Sequence, residues 1–427
     1  MVDPQKEGRR RSGRQRAGQD GSPAARDSGA ELELRVARLE FAEGALARLR
    51  LPVRADDADL GRDVLTDIDV LAIDVDLRLR VSRSSLECKS GKGGSGEPDR
   101  LLWLAGFRQL LALQRATLVR PTVSRRGRAL ARRLGIGVMD NATLERREAA
   151  HGWLPSNFAH IGGEACETAE GRTDIQLRGL AELPSDLIAF LRFDSLLASP
   201  HAIIGALASL KSAVVRQGVL PEPAGKVIAG HALIALLLAA LQDASQLDLV
   251  PASTLRSRLE IALISGDPDD SHLLRVLARA DELVEFQIQR VHNAYIDSGA
   301  VRQPVNIASL REVIGTSQDY FESYIDLVER LRENPAVSRN LLQTVELVCF
   351  DALVGGDAWR ERAFDHLFTA EHRGLILASV RTLGGIAGDP VAQKLEAIWN
   401  VKFNRSGAAV PDRHSPPTRH IQSELFD

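Results

Sequence analysis

Two short stretches of this chain carry side chains that suit metal-assisted hydrolysis of a phosphodiester. Asp69 lies within an apolar, strand-like run, and Glu87-Cys88-Lys89 follows on the next strand-like run. The chain has only seven lysines among its 54 basic side chains. A lysine kept here suggests a need for a compact charge with three donors and a tunable pKa. In a strand, the period-two alternation puts Glu87 and Lys89 on one face and Cys88 on the other.

Cleavage of a phosphodiester needs a water molecule deprotonated near neutral pH and neutralisation of a dianionic transition state. A magnesium ion held by two carboxylates supplies both, and a lysine orients the water or shares the developing charge. Because Mg²⁺ keeps several of its waters, one Asp, one Glu and one backbone carbonyl suffice as protein ligands. These residues therefore suggest a nuclease site that uses Mg²⁺, which Mn²⁺ can replace.

The elements that must position this site lie between about residues 30 and 150. The pattern predicts a helix over 31–50, an antiparallel pair of strands over 67–79 and 81–89, a helix over 99–114, a strand over 116–120, a helix over 124–134 and a last short strand over 136–139. Ser124 is predicted to cap the last of these helices and Gly135 to end it. This alternation predicts an α/β sheet with helices on its faces.

The rest of the chain differs in character. Residues 1–29 are basic and poor in apolar side chains, so they are predicted to be a disordered tail. Residues 151–185 are rich in Gly and Pro and are predicted to form a linker or irregular segment, whereas 186–403 are helix-patterned throughout and predict an all-α domain. Residues 404–427 are predicted to be a second disordered tail.

The composition of the chain limits the cellular compartment and the binding partners to be expected. A net charge of −3 argues against a protein that coats nucleic acid indiscriminately. Three scattered cysteines and an N-terminus without an apolar signal-like segment indicate a reducing cytoplasm. The longest apolar run, 227–241, contains His231 and is short for a membrane span, so a buried helix and no membrane partner are expected.

The stretch Asp69 … Glu87-Cys88-Lys89 resembles the PD-(D/E)xK, or restriction-endonuclease-like, superfamily, in which an Asp ending one strand is followed by Glu-x-Lys on the next. Downstream, Ala116-Thr-Leu-Val-Arg120, the helix over 124–134 and Gly135-Ile-Gly-Val-Met-Asp140 look like the corresponding part of Mrr-type restriction enzymes. The resemblance covers about residues 31–148. It implies a restriction-endonuclease-like α/β core followed here by an all-α domain.

The resemblance also implies roles for individual residues. Asp69 and Glu87 match the metal-binding acids, Lys89 matches the catalytic lysine, and the Cys88 carbonyl would be a third metal ligand. Relatives often carry an assisting Glu on the first helix, for which Glu40 is the choice, with Glu33 and Glu43 as competitors.

A run from residue 100 to 133 contains nine arginines and no Asp or Glu, so it is either an electrostatic footprint for phosphate or a solvated face. The candidates for contact with nucleic acid are Lys92, Arg125, Arg126, Arg128 and Arg132.

The chain ends with residues that resemble the Gln-x-x-Leu-Phe peptide by which bacterial replication and repair proteins bind the sliding clamp. The matching residues are Gln422, Leu425 and Phe426. The competing interpretations are a chance match or a tail that packs on its own domain.

Three functions follow from these observations. The leading one is a bacterial, Mg²⁺-dependent DNA endonuclease of a defence or repair system, with DNA as partner and a homodimer left open. The second keeps the fold without activity, as a DNA-binding or scaffold protein that acts through its helical domain. The third is a nuclease directed at RNA, although an aromatic content of 4% offers few stacking platforms for single strands.

Overall fold

The computed structural model describes residues 23–54, 63–91, 96–152, 154–265, 271–298 and 320–403. Its sheet has five strands in the order β1 to β5. The strands are β1 (Leu46–Arg54), β2 (Val64–Val75), β3 (Val81–Cys88), β4 (Arg115–Arg120) and β5 (Gly137–Asp140). Strands β1, β2 and β3 pair in antiparallel fashion, and β3, β4 and β5 are parallel. The sheet is therefore mixed, and it contains the antiparallel pair of strands predicted over 67–79 and 81–89.

Helices flank this sheet and connect its strands. They are α1 (Pro23–Ala42), α2 (Glu97–Leu110), α3 (Arg125–Leu134) and α4 (Asn141–Ala149). Ser124 caps α3 by accepting a hydrogen bond from the Gly127 N–H, and Gly135 ends it in the left-handed conformation with φ of 65°. Both predictions about this helix are confirmed.

The first helix ends earlier than predicted. The helix predicted over 31–50 stops at Ala42, and β1 follows it from Leu46. Gly44, with φ of 109°, makes the turn between them, a conformation that glycine adopts at little steric cost. The prediction was wrong there because Leu39 and Leu46 continue a helical spacing, while the strand alternation becomes clear only from Leu49 onward.

Two of the predicted irregular regions contain helix. Helix α1 begins at Pro23, inside the stretch 1–29 that was predicted to be disordered. Within the predicted linker over 151–185, helix α5 spans Glu164–Leu177. Its apolar residues are few, so the sequence gives a weak helical signal. Residues 1–22 and 404–427, including the whole clamp-like peptide, lie outside the described residues.

The remainder of the described chain is mainly helical. The helices are α6 (Ser185–Arg192), α7 (Pro200–Gln217), α8 (Ala224–Ala244), α9 (Ala252–Ser265), α10 (Ser271–Asp297), α11 (Phe321–Glu333), α12 (Pro335–Ser338), α13 (Leu341–Leu347), α14 (Ala370–Ala387) and α15 (Asp389–Gln393), joined in part by short 3₁₀ segments and by a π-helical turn over Val348–Ala352. Within the described part of the chain, α8 alone is long and apolar enough to cross a membrane, and 94% of its apolar window is buried by other elements. It is the central helix of this region.

Arginines of the sheet attach it to the helical region. Arg48 of β1 forms a buried ion pair with Glu346 of α13 at 2.6 Å, and Arg83 of β3 donates to the carbonyls of Leu196 and Ala198 at 2.7 and 3.2 Å. The apolar side chains of both parts form one continuous buried cluster. The sheet and the helices therefore share a core.

Candidate functional site

The register of β2 and β3 brings the predicted acids together. Val70 pairs with Leu86, which places the next residues, Asp69 and Glu87, opposite each other. The backbone N–H of Cys88 donates to Asp69 Oδ2 at 2.8 Å. The antiparallel pairing of two neighbouring strands thus brings Asp69 next to Glu87-Cys88-Lys89, as expected from the sequence.

Two cations contact these acids. Lys89 Nζ lies 2.7 Å from Glu87 Oε1 and 3.4 Å from Asp69 Oδ2. Arg100, in the first turn of α2, also forms an ion pair with Glu87 Oε1, and its guanidinium stacks over the Trp103 ring at 4.5 Å from the ring centre. We refer to Asp69, Glu87, Lys89 and Arg100 as the Asp69 cluster.

The Asp69 cluster is partly open to solvent. The side chains of Lys89 and Arg100 are 39% and 37% exposed, whereas that of Glu87 is only 5% exposed. The carboxylate of Glu87 is therefore buried, and the cationic groups of Lys89 and Arg100 lie between it and the solvent. Such a site can bind an anion that approaches from outside and a metal ion between the carboxylates.

A strained residue faces this cluster from β1. Leu49 and Leu51 pair with Val70 and Ile68, so Arg50 lies opposite Asp69. Arg50 has φ of 49°, which is uncommon for a residue other than glycine and costs about 1–3 kcal/mol. Its hydrogen bond to Glu33 raises the pKa of the guanidinium, and the Asp69 carboxylate contributes in the same direction. Strain of this kind concentrates at functional sites.

The structure places Glu33, not Glu40, beside the cluster. Glu33 Oε2 lies 2.8 Å from Arg50 Nε, and Arg50 lies opposite Asp69 on the neighbouring strand, so Glu33 is linked to the cluster through Arg50. Glu40 lies two turns further along α1, about 10 Å along the helix axis, and contacts Arg147 of α4 at 3.1 Å.

The structure therefore does not bring Glu40, the predicted assisting acid, to the Asp69 cluster. Burial raises its pKa, and its partner is a structural arginine. Glu43 contacts the same arginine. Helical periodicity alone could not separate the three acids, because the side of α1 that meets the end of β3 depends on how the helix packs.

A buried carboxylate joins α2 and α3 at the same edge of the sheet. Glu97, which is 2% exposed, accepts from the Ser124 hydroxyl at 2.7 Å and contacts Arg120 at the end of β4 at 3.4 Å. Residue 127 must be glycine for this arrangement, because a Cβ there would lie 1.6 Å from Glu97 Oε1. The N-termini of α2 and α3 are thus held beside each other, next to the end of β3.

Helix α3 presents its arginines to solvent. The exposed residues are Arg125, Arg126, Arg128, Arg132 and Arg133. Of these, Arg128 forms an ion pair with Asp140. Since α3 begins at the edge that carries Lys89, its arginines extend the positive surface away from the Asp69 cluster. Lys92, the remaining predicted contact, lies outside the described residues.

Two residues that contact or face the Asp69 cluster, Arg50 and Arg100, are not among those predicted from the sequence. Arg100 could have been found, because it is the first arginine of the acid-free run and stands one turn into a helix that follows the Glu-Cys-Lys strand. Arg50 could not, because the segment that contains it was assigned to a helix.

The residues present fit a magnesium ion. Asp69 and Glu87 offer carboxylate oxygens, the ligands that Mg²⁺ prefers, and a divalent ion of this kind needs few protein ligands. The described contacts fall on Asp69 Oδ2 and Glu87 Oε1. A metal ion would bind the other oxygen of each carboxylate or compete with Arg100 for Glu87. Cys88 supplies its backbone at the same edge, while its side chain is buried.

Comparison of the chain with family models, with curated proteins and with solved structures finds no match.

Proposed function

We propose that the chain is a metal-dependent nuclease that hydrolyses phosphodiester bonds, with DNA as its substrate and a restriction-endonuclease-like core as its fold. The observation that carries this proposal is the position of Lys89, whose ammonium lies within 3.4 Å of both Asp69 and Glu87 at an edge open to solvent.

Each residue of the Asp69 cluster has a part in this chemistry. Asp69 and Glu87 would hold the metal ion. A bound magnesium ion supplies a water molecule of lowered pKa and neutralises phosphate charge. Lys89 donates a hydrogen bond to the attacking water or to a phosphate oxygen, where negative charge develops. Arg100 and Arg50 flank the acids, and their planar guanidinium groups suit the oxygens of a phosphate.

The exposed arginines of α3 provide the surface on which a polynucleotide backbone would lie. Contacts of this type set affinity through counterion release and are independent of base sequence. The same surface would serve the scaffold alternative, in which Arg100 keeps Glu87 occupied and the protein binds DNA without cutting it.

Cleavage assays separate these functions. We expect wild type to cut supercoiled or linear duplex DNA with Mg²⁺ or Mn²⁺, and Lys89→Ala and Asp69→Asn to lower the rate by about 100-fold or more. Lys211→Ala, which removes a lysine of helix α7 instead, is the matched control and should cut like wild type.

Two results would overturn the proposal. One is a wild type that binds duplex DNA but leaves DNA and RNA intact with either metal, which favours the scaffold. The other is cleavage that survives in Lys89→Ala. If the protein cleaves RNA and not DNA, the assignment of the active site would stand and the proposed substrate would be wrong.

A further inference from the structure

A second group of side chains that could bind a metal ion lies, largely buried, within the helical region. His160, in the turn before α5, places Nε2 at 3.1 Å from Glu170 Oε1. His231 of α8 places its Nε2 at 2.7 Å from the same oxygen. The three ligand atoms all lie within 4.8 Å of one another. Two imidazoles and a carboxylate from three different elements therefore converge on one point.

The groups around these ligands hold them in orientation. The second ring nitrogen of His160 hydrogen bonds to Glu346 at 2.8 Å, and the second oxygen of Glu170 forms an ion pair with Arg192. Both imidazole rings pack on Phe350, with centroid distances of 4.3 and 4.6 Å. A histidine whose other nitrogen contacts a carboxylate is the usual outer-shell arrangement of a metal-binding imidazole.

We propose that His160, Glu170 and His231 form a binding site for a transition-metal ion, with zinc as the ion that fits best. Imidazole nitrogen and carboxylate oxygen are both zinc ligands, whereas Mg²⁺ and Ca²⁺ prefer oxygen alone. A zinc ion with three protein ligands of this kind keeps its fourth position for water.

The charges of the surroundings are compatible with this ion. Arg48 forms an ion pair with Glu346, and Arg192 forms ion pairs with Glu170 and Asp174. With neutral imidazoles as ligands, these ion pairs leave one carboxylate in excess of the arginines, and a bound cation would compensate that charge.

The site would act on structure rather than on a substrate. Its ligands join α5, α8 and the turn at residue 160. Glu346 carries the connection to Arg48 of β1, the strand on which Arg50 faces the Asp69 cluster. Occupancy would therefore stabilise the junction between the helical region and the sheet.

Metal content of the full chain tests this inference. Each protein carries Asp69→Asn, so that ions at the sheet edge contribute little, and is incubated with zinc and freed of excess by gel filtration before elemental analysis. We expect the Asp69→Asn protein to retain stoichiometric zinc. Adding His231→Gln or Glu170→Gln should weaken zinc binding by about 100-fold or more. Adding His201→Gln, at a histidine that contacts only Ser199 among the described side chains, should have no effect.

A second measurement covers the case in which the buried variants fail to fold. Cobalt titrated into the Asp69→Asn protein should give the strong visible absorption of a four-coordinate site. Absence of retained zinc together with the weak spectrum of hydrated cobalt would overturn the inference. Neither outcome depends on whether the chain cleaves DNA.

Discussion

The two charged clusters of this chain are built from similar groups in opposite environments. At the edge of the sheet, Lys89 and Arg100 contact Glu87 with more than a third of each side chain exposed. At the junction, Arg48 and Glu346 contact each other with exposures of 5% and 1%. A pair open to water contributes little to stability and remains available to ligands. A buried pair is costly to break, because removal of one partner leaves an uncompensated charge.

The largest effect should come from breaking the buried pair. Arg48→Met leaves Glu346 without its guanidinium partner and should lower the free energy of unfolding by about 3–5 kcal/mol. Arg50→Met is the matched control, because it removes the same group two residues along the strand, where the side chain is 63% exposed and pairs with Glu33. Its cost should be below about 1 kcal/mol. Urea unfolding measures the free energy of unfolding of both variants. Equal losses of stability would contradict the difference between the buried and the exposed ion pair.

An intermediate effect should come from a buried carboxylate that has no cation in hydrogen-bond contact among the described residues. Asp243 of α8 accepts from the Tyr324 hydroxyl at 2.7 Å, and burial raises its pKa to about 6 from 3.8. The folded protein therefore binds this proton more tightly than the unfolded chain, so stability falls as the pH rises from about 4 to 6.

Asp243→Asn keeps an acceptor for Tyr324 and removes the charge. It should be more stable than wild type by about 1–3 kcal/mol above pH 6 and should match wild type near pH 4. Asp326→Asn, at an acid that is 59% exposed, should show no such pH dependence. Thermal unfolding across this pH range measures the difference. A gain that is the same at pH 4 and pH 7 would contradict a titration at Asp243.

The smallest effect on stability should come from the Asp69 cluster itself. Lys89→Ala should change the free energy of unfolding by less than about 1 kcal/mol, because its ion pairs are screened by solvent. The same variant is expected to lose cleavage. A destabilisation as large as that of Arg48→Met would instead make Lys89 a structural residue.

The same contrast explains what the sequence could predict. The Asp69 cluster draws its acids and lysine from two consecutive strands, so Asp69, Glu87 and Lys89 could be identified from alternation and spacing. The N-cap Ser124 and the stop Gly135 were also predictable, because local geometry alone requires those residue types.

The junction could not be predicted in this way. Arg48 and Glu346 are 298 positions apart, and nothing near either residue specifies the other. Glu40 was chosen over Glu33 for a related reason, since the packing of α1 decides which acid meets β3. The strand β1 was missed because helical and strand periodicities overlap at Leu46 and Leu49.

The pairing of Arg48 with Glu346 also determines how this protein can be dissected. A fragment that ends near residue 152 would carry Arg48 with neither Glu346 nor Phe350, the ring over which the guanidinium lies at 5.5 Å. A fragment that begins near residue 154 would carry a buried Glu346 that lacks its arginine. We expect each half to be insoluble when expressed alone and the two halves to be recovered as a soluble complex when they are expressed together. The sheet and the helices would then fold only as a single unit.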